Sequence, residues 1–258
     1  SIISNYYSCK LIISIHTFVS LKVFLYYLTL KEKIFYLFNF RFKKKSHYLA
    51  DKIIIPYIKI KENIHYKLKS KVIISYNQID RYKKLIKRNL TTSKKIKLVF
   101  VGRLIKGKSI LNIIKAINQI ENVSLTIFGD GPERKKIEDF ILLNKLKNRV
   151  FVKGFVNNQQ ILANFKTFDA FIAYHKFYEF PKTIIEALVN GLPIILNKNP
   201  SKEIFEFKNI EIIWTDGTVN SYKKKIESLI NKTFDINLII KNKYFEIKKL
   251  LKNNNSYD

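Results

Sequence analysis

Two carboxylates, Glu179 and Glu186, stand seven residues apart in the stretch 169–196, DAFIAYHKFYEFPKTIIEALVNGLPIIL. The apolar run 170–173 reads as a buried strand, and 194–196 as the next one. Between them Pro181 suits the first turn of a helix, where its missing N–H costs nothing. Gly191 and Pro193 end that helix. Both acids therefore sit near a helix N-terminus at the C-terminal edge of a strand, the edge where open α/β sheets bind ligands. The window alone favours a simpler account, in which both are first-turn acids stabilised by the helix dipole.

A second constellation is Gly102-Arg103-Leu104-Ile105-Lys106-Gly107-Lys108-Ser109, after one apolar run and before a helical one. Arg103 and Lys108 flank a helix N-terminus, offering an anion backbone N–H groups, a bidentate guanidinium and a point charge. The string also matches the phosphate-binding loop G-x-x-x-x-G-K-[ST]. Such a loop needs a later strand ending in an Asp for Mg²⁺. Asp130, in a Gly-Pro turn, and Asp169, ahead of its strand, are poorly placed for it.

Other candidates carry less. Gly129-Asp130-Gly131-Pro132 fails the dinucleotide fingerprint because position 134 is Arg, and a tight strand-to-helix turn explains it. His16, His47, His65, His175 and Cys9 show no metal spacing, so no metal site is expected. No serine has a G-x-S-x-G context, which leaves nucleophilic hydrolase chemistry without support.

The elements that position these residues alternate. From 97 onward, apolar runs at 97–101, 123–128, 150–152 and 170–173 each lead through a turn into a helical pattern, at 109–120, 133–144, 158–166 and 181–190. Strand, turn and helix repeated in this way imply a parallel sheet covered on both faces. Strand 210–214 and helices 219–231 and 238–252 follow. Earlier, short strands are expected at 11–15, 50–56 and 72–75, with a helix over 57–68. Residues 86–95 are polar and basic and read as a linker between domain 1–85 and domain 96–258. Residues 18–43 mix aromatics with Lys and Arg without a clean apolar run of about 20. They suit either an interfacial amphipathic segment or a pair of core helices.

Composition bounds the partners. The chain has 258 residues, 47% hydrophobic, with one Cys, no Met and a formal net charge of +28. A single Cys excludes an intrachain disulfide framework and fits a reducing compartment. No secretory signal is visible, and the chain is expected to begin inside a longer polypeptide. The charge comes mainly from Lys, spread through a chain rich in Ile, Asn, Tyr and Phe. Drift toward residues with AT-rich codons explains it best, and an anionic membrane surface comes next. Diffuse Lys without a nucleic-acid motif gives no expectation of specific nucleic-acid binding.

Four segments in order, VFVGRLIKGKSILNIIKAI, LTIFGDGPERKKIE, VFVKGFV and FPKTIIEALVNGLPII, resemble the donor-nucleotide domain of retaining glycosyltransferases of family 4. Upstream, IISIHTF, ADKIIIPYIKIKENI and VIISYNQID resemble strands of the same family's acceptor domain. The resemblance covers roughly residues 10–200. It implies the α/β GT-B fold, two Rossmann-like domains facing across a cleft, with the N-terminal domain incomplete. It also implies a retaining, hexosyltransferase-type enzyme. Such an enzyme moves a sugar from a nucleotide-diphosphate donor to a lipid-linked or polysaccharide acceptor. No cofactor or metal is implied, so cations must stabilise the leaving diphosphate. By resemblance the catalytic set is His16, Arg103, Lys108 and Glu179. Donor binding falls to Gly102, Arg103, Lys108, Phe155, Glu179, Phe180, Thr183 and Glu186. Arg103 and Lys108 take the diphosphate, Glu186 the ribose, Glu179 the donor sugar and the backbone around Phe155 the base. The setting implied is cytoplasmic, peripheral on the inner face of the membrane.

Three departures stand out. The family usually spaces its two Glu by eight, and Ser109 and Gln78 replace usual glycines. About 80 residues precede the linker, where a Rossmann-like half needs on the order of 100–150. Alternatives are a non-catalytic homologue binding nucleotide or membrane, then a P-loop nucleotide-binding protein or a basic nucleic-acid-binding protein.

Overall fold

Short apolar runs bounded by turns make the strands here. The computed structural model describes residues 12–14, 48–55, 61, 64–74, 95–175, 182–198 and 212–231. The described residues form two compact units, one holding the first three strands and the other everything from Lys95 onward.

In the first unit β1 (Ile12–Ser14), β2 (Lys52–Ile55) and β3 (Val72–Ile74) pair in parallel in that order. Ile53 and Ile55 are fully buried. Where a helix over 57–68 was expected, the described residues 66–71 make a 3₁₀ turn, Tyr66–Lys71. Two side chains fix it locally. His65 Nδ1 accepts from the Lys67 N–H at 3.4 Å, and Lys71 Nζ donates to the Tyr48 and Ala50 carbonyls at 3.0 and 2.8 Å. The only buried residue of the turn is Leu68.

The second unit is a six-stranded sheet. Its strands are β4 (Ile96–Val101), β5 (Val123–Phe128), β6 (Val150–Gly154), β7 (Ala170–Ala173), β8 (Ile194–Asn197) and β9 (Ile212–Thr215). The spatial order is β6-β5-β4-β7-β8-β9, and every pairing is parallel. Helices α1 (Ile110–Asn118), α2 (Arg134–Leu143), α3 (Asn158–Asn164), α4 (Lys182–Val189) and α5 (Val219–Ile230) lie along this part of the chain. The α1 helix forms because Ile110, Ile113, Ile114 and Ile117 recur at helical spacing and are all buried. β7 and β8 are buried at every position, as parallel strands covered on both faces must be.

Strand order decides where a site can be. The chain runs outward from β4 through β5 to β6, then returns to β7 on the other side of β4 and continues to β8 and β9. β4 and β7 thus flank the topological switch point, where loops leave in opposite directions and open a crevice. Asp169 lies at the opposite edge, where its carboxylate accepts from the Lys97 N–H at 2.7 Å and its own N–H donates to the Lys97 carbonyl. It pins the start of β7 to β4.

Candidate functional site

The loop after β4 carries the two cations singled out by the sequence. Part of its backbone bonds within the loop and to its neighbour. Leu104 N–H donates to the Asp130 carbonyl, Ile105 to Arg103, Lys108 to Ile105 and Ser109 to Lys106. These four N–H groups are committed to backbone carbonyls, which counts against a P-loop cradle built on them. The fully buried Leu104 anchors the loop, and Lys106–Lys108 make a 3₁₀ turn before α1. Arg103 is exposed, and among the described residues it has no carboxylate partner.

The turn after β5 backs directly onto this loop. A Cβ on Gly129 would lie 1.9 Å from the Gly102 carbonyl oxygen, and one on Gly131 would lie 2.6 Å from that of Leu104. Only glycine permits so close an approach of two backbones. Asp130 serves the turn. One oxygen accepts from the Gly131 N–H and the other pairs with Arg134, both at 2.7 Å. The Gly131 N–H first, and then Arg134, hold its carboxyl below the ordinary value of 3.8. Both oxygens are engaged in the turn.

Across the switch point stands His175, two residues past β7 and only 5% exposed. Its Nδ1 lies 2.7 Å from Lys108 Nζ. Its backbone is clamped by Asn197 at the end of β8. The His175 N–H donates to Asn197 Oδ1 at 2.7 Å, and its carbonyl accepts from Asn197 Nδ2 at 2.9 Å. The structure thus joins the ends of β4, β7 and β8 through one lysine, one histidine and one asparagine. Sequence reasoning passed over His175 because it has no metal spacing. Its position just past a strand's C-terminal end was the available signal.

Glu186 lies on α4. It is 2% exposed, a buried carboxylate. A buried charge needs partners. Asn158, the first residue of α3, donates to its Oε1 at 3.0 Å, and Lys182 Nζ stands 3.9 Å from the same oxygen. Thr183 is half-buried one turn earlier. Phe155, just past β6, is 85% exposed. Gly102 closes β4, its N–H donating to the Phe128 carbonyl at 3.0 Å. His16, Glu179, Phe180, segment 18–43, helix 238–252 and the linker up to residue 94 lie outside the described residues.

Chemically, one edge of one sheet presents an exposed guanidinium, an ordered ammonium group, a buried carboxylate and an exposed aromatic ring. That set suits a ligand with an anionic centre, hydroxyls and a flat apolar group.

The family model described as Glycosyl transferases group 1 matches residues 81–245. The Bacillus subtilis (strain 168) poly(glycerol-phosphate) alpha-glucosyltransferase is 34% identical over 107 residues, 40% of this chain and 16% of that protein. The 2-deoxystreptamine N-acetyl-D-glucosaminyltransferase of Niallia circulans is 26% identical over 128 residues, 48% of this chain and 33% of that protein. The chain thus spans a third or less of these two relatives. Among solved structures, Anabaena HepE in complex with UDP and glucose superposes with a TM-score of 0.72 at 18% identity, covering 97% of this chain and 71% of that one. The pneumococcal O-GlcNAc transferase GtfA, with UDP and GlcNAc, gives a TM-score of 0.62 at 19% identity, covering 84% and 46%.

Proposed function

On the premise that this chain belongs to the group 1 glycosyl transferases and has their GT-B fold, we propose that it binds a nucleotide-diphosphate sugar and serves its transfer. The observation that carries the reading is the basic loop Arg103–Lys108 at the switch point of the sheet. When the bond between sugar and diphosphate breaks, negative charge grows on the leaving phosphate oxygen. A guanidinium and an ammonium group already in place stabilise that charge, and one such donor is typically worth about 10²–10³ in rate. Glu186, ordered by Asn158 and Lys182, takes the ribose hydroxyls, and the exposed Phe155 marks where the base meets the edge of β6. Transfer retains the anomeric configuration, needs no metal, and draws on His16 and Glu179 at the sugar. Phe180 and Thr183 complete the donor pocket.

The acceptor is a polysaccharide or lipid-linked glycan. The poly(glycerol-phosphate) acceptor in one relative's name supports a polymer. The net charge of +28 supports work beside an anionic membrane on its cytoplasmic face.

Titration with UDP in excess EDTA tests the site. Arg103→Ala and Glu186→Ala each weaken UDP binding by about tenfold or more while far-UV dichroism stays unchanged. If neither change weakens binding, the assignment is wrong. A second reading, a homologue that binds nucleotide without transferring sugar, draws on the seven-residue interval between Glu179 and Glu186. It predicts UDP binding with no turnover of any UDP-hexose.

A further inference from the structure

We infer that His175 is a positioning residue that holds Lys108 in place for an anionic ligand before that ligand arrives. The inference rests on reading Lys108 as a diphosphate ligand and adds the device that makes it effective. A lysine ammonium group carries donors only, so at 2.7 Å the His175 Nδ1 must be the acceptor and the imidazole must be unprotonated there. Bonds of that length with one charged partner are among the strong ones. His175 as a whole is 5% exposed, so little water competes for the contact.

The support beneath it is as ordered. Asn197, 2% exposed, grips both the N–H and the carbonyl of His175. It fixes the backbone from which the ring projects, independently of the ring itself. A long flexible lysine normally gives up rotamer freedom when it captures an anion. The bond to His175 supplies part of that ordering beforehand. The contact joins residues 67 apart in sequence across the switch point. It therefore also couples the loop after β4 to the end of β7.

The experiment is a double-mutant cycle read by UDP titration of the full chain in EDTA, with thermal unfolding recorded for each variant. His175→Leu removes the acceptor at similar volume, and His175→Asn returns an oxygen near the place of Nδ1. We expect His175→Leu to weaken UDP binding about tenfold and His175→Asn to stay within about threefold of the parent. Lys108→Met should weaken binding at least as much, and adding His175→Leu to it should change affinity less than about twofold. An equal loss from His175→Leu with and without Lys108, or no rescue by Asn, overturns the inference. If the parent chain binds no UDP, or Arg103→Ala leaves UDP affinity unchanged, the donor-site reading itself has failed. Nitrogen NMR of the nucleotide-free chain separates the two failures. His175 Nδ1 should resonate as an unprotonated nitrogen and shift on Lys108→Met, and a protonated Nδ1 overturns the pairing.

Discussion

Ser109 shows how one side chain can oppose its own backbone. It sits at φ 42°, ψ 36°, in the left-handed region, at the N-cap of α1, and its hydroxyl makes no capping hydrogen bond. An L-residue with a Cβ is strained there, and glycine is not. Ser109→Gly should therefore raise stability by on the order of 1 kcal/mol, measured by denaturant unfolding at unchanged m-value. Asp130 makes a pH prediction. Its bonds to the Gly131 N–H and Arg134 lower its native pKa below 3.8, so the unfolded chain takes up the proton first. The stability it lends is full above that value and is lost as pH falls through the native pKa. The difference in melting temperature between the parent and Asp130→Asn should thus be present near neutral pH and close at strongly acidic pH. A difference that stays constant across the range would contradict this. Glu186 and His175 carry the lesson about legibility. The types and positions of both could be read from the chain. Their burial could not, because the groups that bind them lie 28 and 67 residues away.

Elements were legible wherever a strand is buried on both faces. Strand 170–173, a continuous apolar run buried at every position, was read to the residue, and so was 123–128, where the half-buried Ser124 and Thr126 alternate with buried apolar residues. Residues 66–68, expected at the end of a helix over 57–68, belong to the 3₁₀ turn Tyr66–Lys71, whose spacing of apolar and basic residues also fits a short helix. The last described helix, α5, is held to the sheet from a distance. Tyr222, fully buried, donates its hydroxyl to the Ala173 carbonyl at 2.8 Å, and burial pushes its pKa up. Tyr222→Phe removes that donor while keeping the ring. Stability should fall by about 1–2 kcal/mol, with the loss seen in urea midpoints. No measurable change would mean that the carbonyl finds another donor. The effect reaches the site's support, since β7 ends just before His175.

The whole molecule adds charge and topology. Among the described residues no helix is long and apolar enough to cross a membrane. With a net charge of +28, the chain should cosediment with vesicles containing anionic phosphatidylglycerol and not with neutral phosphatidylcholine. Binding should fall steeply as salt shortens the Debye length from about 10 Å at 0.1 M. Equal binding to both vesicles would count against a membrane-facing role. The alternation of runs and turns determined the α/β class and the parallel sheet, because covering both faces of a strand leaves a local apolar signature. It also determined which loops carry Arg103, Lys108 and the turn glycines. Strand order was decided only in three dimensions, since nothing local says that β7 returns to the far side of β4. That return makes the switch point, brings His175 to Lys108, and converts a lysine on a basic loop into an ordered cation. Its cause is packing among strands far apart in the chain, which no window of sequence contains.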